Sequence, residues 1–179
     1  MPPDTPTERP LIAISQCILG DRVRYDGQVN TYTDLLSFIH SHFQTIAVCP
    51  EVEIGLSVPR PPVQLSSDGK QIKITGRDDP SIDITEPMEQ FCQQRSLQLN
   101  SIQGYIFKSK SPSCGVTDVP LFNPQGEVIS MGAGLFAQTM LQRYPNLPIT
   151  DEQTLDTQQQ RELFLQSVQN YREYSISHD

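Results

Sequence analysis

The four cysteines of this 179-residue chain are the side chains whose type and spacing could support specific chemistry. No two of them have the CxxC spacing of zinc knuckles or thioredoxin-like redox sites. Disulfides are rare in a reducing cytoplasm, and a chain of this length does not need them to stabilise its core. The cysteines are therefore either small buried hydrophobic residues or ligands that the fold gathers around a metal. They are Cys17, Cys49, Cys92 and Cys114.

Three of the cysteines follow short apolar runs that predict buried strands. Two lie within two residues of the end of the run, and the third lies in a polar loop that continues from it. Cys92 instead lies on the apolar stripe of a helix predicted from 86 to 99, which favours its burial as a small hydrophobe. The pairs of strand and cysteine are 11–15 with Cys17, 45–48 with Cys49, and 104–107 with Cys114.

Strands alternate with helical patterns along the rest of the chain. This alternation predicts an α/β fold with a three-layer, Rossmann-like, open and mostly parallel sheet that has helices on both faces. The proline-rich segment 58–65 is expected to be an extended loop or edge segment, and Asp68-Gly69 predicts a small hairpin excursion outside the main sheet. Further helices are predicted near 33–43, from 132–134 to 143, and from 156 to 174, with a short strand at 147–149.

The predicted topology brings the three strand-following cysteines to one place. In open α/β sheets the ligand crevice lies beyond the carboxyl ends of the strands. If the three strands are neighbours in the sheet, Cys17, Cys49 and Cys114 meet at that edge, although they are separated by 32 and 65 positions in the sequence.

Three thiolates in one crevice favour a cationic centre, because they repel one another and are costly to ionise without it. Zinc would normally need a fourth cysteine or histidine, and none is well placed: His40 and His42 fall on the first predicted helix, and His178 falls in the tail. Soft thiolates also select iron–sulfur clusters, and three of them would leave one iron open to a substrate atom.

Composition limits the partners of the protein. The net charge of −8 and the pI of about 4.8 disfavour binding to extended nucleic acid or to an anionic membrane. No apolar run approaches the roughly 20 residues that cross a bilayer, and the N-terminus does not resemble a signal peptide, so we expect a cytoplasmic protein. We divide the chain into a flexible arm at 1–10, an α/β domain at 11–155, and a C-terminal helix and tail at 156–179.

Four cationic side chains fall in loops that should lie at the same sheet edge as the cysteines. One or two of them could contact a carbonyl oxygen or a phosphate group of a small substrate. Gly132 and Gly134 precede a predicted helix, where a bound anion and close helix packing are equally good interpretations. The four cationic candidates are Arg24, Arg60, Lys108 and Lys110.

Four segments of the chain resemble the 2-thiouracil desulfurase family, over about residues 11–155. Three of the segments carry the strand-following cysteines in the order of the family. The turn at 76–80 departs from the Gly-rich acidic turn of many members, so no substrate contact is predicted there. The segments are SQCILGDRVRYDG at 15–27, VCPEVEIGLSVPRPP at 48–62, FKSKSPSCG at 107–115 and GAGLFA at 132–137.

The resemblance implies an oxygen-sensitive 4Fe-4S cluster held by the three matching cysteines, and non-redox removal of sulfur from thiolated uracils. It also implies that Glu51 and Ser111 are catalytic residues, together with Ser113. The acidic balance and the lack of the second domain found in some relatives favour a thiolated pyrimidine base or nucleotide over tRNA as the substrate.

The implied chemistry replaces a thiocarbonyl by a carbonyl. An open iron would act as a Lewis acid toward the sulfur, and Glu51 is near enough to Cys49 to activate a water or relay its proton. Two alternatives remain open. One is a non-catalytic protein that uses the same cysteines to sense or carry iron; the other is a zinc hydrolase or cysteine nucleophile, which lacks a well-placed histidine.

Overall fold

The computed structural model describes residues 8–177, which form two four-stranded sheets, five α-helices and two short 3₁₀-helices. The described residues do not include 1–7, which are most of the predicted arm. They also do not include His178. The helices are α1 (Thr33–His42), α2 (Pro50–Glu53), α3 (Thr85–Gln98), α4 (Leu135–Arg143) and α5 (Gln158–Ile176). The strands are β1 (Leu11–Ser15), β2 (Gln44–Val48), β3 (Val63–Ser67), β4 (Ile72–Gly76), β5 (Tyr105–Phe107), β6 (Val119–Phe122), β7 (Val128–Gly132) and β8 (Ile149–Asp151).

The first sheet is parallel throughout, in the order β2-β1-β5-β8. The three strands that precede cysteines are therefore neighbours, as their convergence requires. Ser15 pairs with Val48 at the carboxyl ends of β1 and β2, and Ile14 pairs with Ile106 in β5. β1 and β5 are short apolar runs because helices cover both of their faces.

Helices cover the two faces of this sheet and complete the three predicted layers. On one face, α3 and α4 pack their apolar residues against Ala13 and Tyr105. On the other face, α1 and α5 pack against Ile12 and Ile106. Successive residues of a strand point to opposite faces, so each strand supplies both cores. The α/β fold class predicted from the sequence is confirmed.

The second sheet is larger than the predicted hairpin excursion. Its order is β4-β3-β6-β7, with β3 and β4 antiparallel, β3 and β6 parallel, and β6 and β7 antiparallel. The hairpin around Asp68-Gly69 is present, and a second hairpin across 123–127 extends the sheet. The predicted extended segment at 58–65 ends in a strand because the prolines stop at Pro62, where backbone donors become available for pairing.

The helix at the end of the chain contributes to the core. Phe164 and Val168 of α5 are buried against Ile12, Ile14 and Phe43. Among the described residues, no helix combines the length and the apolar character needed to cross a membrane.

Candidate active site

The three strand-following cysteines line one cavity of about 400 Å³ at the carboxyl ends of β1, β2 and β5. Cys17 and Cys49 are half-buried, and Cys114 is buried. Cys92 lies outside this cavity, on the buried face of α3, where it packs in the core. This agrees with its prediction as a small buried hydrophobe.

The cavity disfavours ionised thiols when nothing else is bound. Burial raises the pKa of Cys17 to about 11, and the nearby Cys49 thiol contributes to this rise. Burial likewise raises the pKa of Cys49, and that of Cys114 lies well above its ordinary value because of burial and of the other two thiols. A cationic partner is the group that would let all three sulfurs ionise together.

Local structure sets the position of the first two cysteines. Cys17 lies in a short 3₁₀-helix, Gln16–Leu19, which ends at Gly20 with a φ of 93°, a conformation that glycine adopts without strain. Cys49 is the residue before α2, where Pro50 begins the helix and cannot continue the strand. The backbone N–H of Cys49 donates to the Glu53 carboxylate at 2.9 Å, which fixes this end of the helix.

The loop between β5 and β6 sets the position of the third cysteine, Cys114. The Ser111 hydroxyl oxygen accepts hydrogen bonds from the backbone N–H groups of Ser113 and Cys114, both at 3.2 Å. The backbone of this loop also contacts the start of α4, where the N–H of Phe136 donates to the Ser113 carbonyl at 2.9 Å. A Cβ on Gly134 would lie 2.6–2.9 Å from backbone atoms of residues 112–114, so this approach requires glycine.

Glu51 lies in the same cavity, with a protein group on each carboxylate oxygen. The Ser113 hydroxyl donates to Oε1 at 3.2 Å, and Nε of Arg60 donates to Oε2 at 2.7 Å. Glu51 and Ser113 are both buried. The arrangement holds a carboxylate and a hydroxyl side by side on the wall that also carries Cys49 and Cys114.

Arg60 is held by protein groups as well as by Glu51. Its terminal nitrogens donate to the carbonyl oxygens of Ser57 and Val23, at 3.2 and 2.8 Å, and its side chain is only 5% exposed. Because all three guanidinium nitrogens have protein acceptors, this arginine orients the Glu51 carboxylate. These bonds use three of its five N–H groups, so the direct contact with substrate predicted from the sequence stays a prediction.

Arg24, Lys108 and Lys110, the other three predicted cationic residues, also line the cavity. Arg24 forms an ion pair with Asp26 at 3.0 Å. Lys108 forms an ion pair with Glu152 at 2.6 Å; burial lowers its pKa, but the interaction with Glu152 outweighs that effect and raises the pKa overall. Lys110 is exposed and has a φ of 61°, a region that residues other than glycine seldom adopt.

The structure adds three residues that sequence analysis missed. Glu152 follows β8 and accepts hydrogen bonds from both the backbone N–H and the hydroxyl of Ser109. Ser15 ends β1, and Arg77 follows β4, in the turn for which no substrate contact was predicted; both line the cavity. The cysteines were found because they follow strands at the carboxyl edge of the sheet. The same criterion, applied to every polar residue at that edge, would also have found Ser15 and Glu152.

The charge of the cavity is opposite to that of the whole chain. Its described lining contains five cationic side chains and one carboxylate, whereas the chain carries a net charge of −8. An anionic or electron-rich small molecule is therefore favoured inside the cavity. The cationic side chains are Arg24, Arg60, Arg77, Lys108 and Lys110, and the carboxylate belongs to Glu51.

Residues 8–177 contain no group of three or more His, Cys, Asp or Glu side chains spaced to hold one metal ion. His40 and His42 lie on α1 and do not line the cavity. Three thiols that line one cavity present a set of soft sulfur donors, the ligand type that iron–sulfur clusters take.

The fold and the site define an α/β protein whose cavity at the sheet edge is lined by three thiols and a carboxylate. A family model described as 2-thiouracil desulfurase matches residues 12–152. The chain belongs to the 2-thiouracil desulfurase family. The resemblance inferred from the four sequence segments and the prediction of a thiouracil desulfidase are thus confirmed.

A solved structure agrees with this assignment. It is that of the 4Fe-4S-dependent thiouracil desulfidase TudS, which is 27% identical to this chain and superposes on it with a TM-score of 0.62. The match covers 82% of this chain and 93% of that one. A search of curated proteins found no match.

Proposed function

We propose that this protein removes sulfur from thiolated uracils without a redox change, using a 4Fe-4S cluster held by Cys17, Cys49 and Cys114. The observation that carries the proposal is the meeting of these three thiols beside Glu51 in one cavity. Membership of the desulfurase family supports the reaction, and the 4Fe-4S dependence of the similar desulfidase TudS supports the cofactor.

The residues present fit such a cluster. They offer three sulfur donors and no histidine, which is the donor chemistry that iron–sulfur clusters prefer. The cavity of about 400 Å³ falls within the range of about 300–1,000 Å³ that small-molecule and cofactor sites occupy. When bound, a cluster with three protein ligands supplies an iron with an open position, which is a Lewis acid toward the sulfur of a thiocarbonyl.

The overall reaction balances without electron transfer. A thiocarbonyl and a water give a carbonyl and hydrogen sulfide, so the carbon keeps its oxidation level. The protein must therefore move protons and not electrons. It must take a proton from the attacking water and return one to the departing sulfide.

We assign these proton transfers to Glu51. Its Oε1 atom already accepts a hydrogen bond from Ser113, and a water between the two side chains would find both an acceptor and a donor. Arg60 holds the second oxygen, so the carboxylate keeps one orientation as the proton moves. The Ser111 oxygen already accepts hydrogen bonds from two backbone N–H groups. Its hydroxyl hydrogen can therefore be donated to the water.

The cationic lining suits a thiolated pyrimidine base or nucleotide. Lys110 is exposed at the cavity and has no hydrogen bond or ion pair from its side chain among the described contacts of residues 8–177. It is therefore free to contact a carbonyl oxygen or a phosphate group. Arg24, Arg60 and Lys108, which already have protein partners, contribute mainly to the positive potential of the cavity.

The test is to reconstitute the protein anaerobically with iron and sulfide and to measure sulfide release from 2-thiouracil and 4-thiouracil. We expect Glu51→Gln to keep the absorption of the cluster and to lose at least about a hundredfold in kcat, because it cannot accept a proton. Glu89→Gln on the exposed side of α3 is the control and should retain kcat. Unchanged turnover in Glu51→Gln would remove Glu51 from the mechanism.

Two cysteine variants test the ligand set. Cys114→Ser should lose the cluster, whereas Cys92→Ala, which changes a buried thiol outside the cavity, should keep full iron and sulfide content. Loss of iron in Cys92→Ala would show that the ligand set is wrong. A stable cluster with no sulfide release from any thiolated pyrimidine would favour the alternative, a non-catalytic iron–sulfur sensor or carrier.

A further inference from the structure

Tyr25 is the one aromatic residue among the described residues that line the cavity. The other apolar side chains of this lining are valines and prolines. Tyr25 is 40% exposed and packs in neither of the two apolar cores, so its ring does not contribute to the stability of either. Ligand pockets are typically lined by aromatic side chains together with a few polar groups. The position of Tyr25 therefore points to a role in binding.

A tight turn fixes the backbone of Tyr25 at the cavity. The N–H of Gly27 donates to the Arg24 carbonyl at 3.0 Å, and the Arg24 side chain is paired with the adjacent Asp26. The backbone N–H of Arg60 donates to the Tyr25 carbonyl at 2.8 Å. In the part of the chain that the structure describes, the Tyr25 hydroxyl has no hydrogen bond and its ring has no aromatic partner. The turn thus presents a partly exposed ring at a fixed place.

A thiolated uracil offers such a ring a matching surface. The molecule is flat, and its sulfur, oxygen and N–H groups all lie on the edge of the ring, so its two faces carry no hydrogen-bonding group. An aromatic side chain binds a face of this kind by stacking. Water attacks a thiocarbonyl carbon from a face of the ring. A pyrimidine with one face on a tyrosine therefore keeps its edge and its other face free for the reaction.

We propose that Tyr25 stacks on one face of the thiolated pyrimidine and thereby selects substrates with a planar, unsaturated ring. The inference rests on the proposed function and deepens it, because it names the class of thiolated pyrimidine that the site takes. Tyr25 is a substrate-binding residue in this account and has no part in proton transfer. Arg60 braces both groups, since its backbone N–H holds Tyr25 and its Nε atom holds the Glu51 carboxylate.

The experiment compares sulfide release from 2-thiouracil and from dihydro-2-thiouracil, in which the ring double bond is saturated. The second compound keeps the thiocarbonyl and the edge groups but has a puckered ring, so the wild type should have a higher KM for it. Tyr25→Ala should raise the KM for 2-thiouracil by about tenfold with little change in kcat, because stacking binds substrate and transition state alike. The KM for the dihydro compound should change little, so the preference for the planar ring should disappear.

Two further variants separate stacking from other effects. Tyr25→Phe keeps the ring and removes the hydroxyl, so it should retain the wild-type KM for both compounds. Tyr174→Ala changes another exposed tyrosine, on α5 and outside the cavity, and should also leave both KM values unchanged. The cluster content and the thermal midpoint of Tyr25→Ala should equal those of the wild type, because Tyr25 packs in neither core.

The outcomes distinguish this inference from the proposed function. A wild type that releases no sulfide from any thiolated pyrimidine would overturn both. Release from 2-thiouracil with equal wild-type KM values for the two compounds, or with an unchanged KM in Tyr25→Ala, would overturn the role of Tyr25 alone. A parallel rise of both KM values, a loss of cluster in Tyr25→Ala, or an equal loss in Tyr25→Phe would also overturn it, because each would trace the effect to something other than stacking.

Discussion

Glu51 shows how a single carboxylate can be held for one task. Arg60 occupies one of its oxygens, and Ser113 approaches the other at a longer distance, 3.2 Å against 2.7 Å. The stronger, charged bond fixes the side chain, and the weaker one is easier to exchange for a water. In the proposed mechanism, the reactive side of the carboxylate is thus the side that faces Ser113.

The two serines near Cys114 should have separable effects. Ser113→Ala removes a donor to Glu51 and should lower kcat by about a hundredfold with little change in thermal stability, because misplacement of a catalytic group is costly. Ser111→Ala removes the acceptor of two backbone N–H groups, so it should also lower stability by about 1–2 kcal/mol. Thermal unfolding and steady-state kinetics of both variants check this; equal losses of stability would contradict it.

At the scale of elements, the site depends on how closely α4 approaches the loop of Cys114. Gly134→Ala should displace that loop, since the new methyl group would lie less than 3 Å from three backbone atoms. We expect a loss of at least about 2 kcal/mol in the free energy of unfolding, together with lower cluster content.

Gly132→Ala is the matched control, because a methyl group at that position has nothing within 4 Å. Its stability and iron content should equal those of the wild type. If Gly134→Ala retained both, the packing of α4 on the loop would not be needed to hold Cys114 in place.

The elements also show what the sequence could predict. Short apolar runs followed by cysteines identified β1, β2 and β5. Burial leaves that pattern in β1 and β5, but the predicted burial of β2 was wrong, because β2 is the edge strand of its sheet and is largely exposed. The second sheet was largely missed: β3 follows three prolines, β6 contains Pro120, and β3 and β6 pair over only two residue pairs. Such strands are stabilised by contacts distant in sequence, which local patterns do not record.

Side-chain pairing in the site was harder to predict than its location. The sequence placed Arg24, Arg60, Lys108 and Lys110 at the correct edge, but their partners often come from other segments. Glu152, for example, is 44 positions from Lys108, and Glu51 is nine from Arg60. Charge type and strand position give the neighbourhood of a residue, while its partner depends on the packed structure.

At the scale of the whole molecule, the C-terminal helix α5 contributes to the stability of the α/β domain. Phe164→Ala should lower the free energy of unfolding by about 3–5 kcal/mol, because Phe164 is buried against Phe43 beneath the first sheet. Leu163→Ala, at a residue that is 54% exposed, should have little effect. Chemical denaturation measures both; equal effects would indicate that α5 is not packed on the sheet as described.

The spacing of the three cysteines has a consequence for biosynthesis. In the proposed ligand set, a fragment of the growing chain that lacks Cys114 cannot supply all three sulfurs, and the crevice forms only when β5 lies between β1 and β8. We therefore expect the proposed cluster to bind only after synthesis has passed Cys114 and the first sheet has formed.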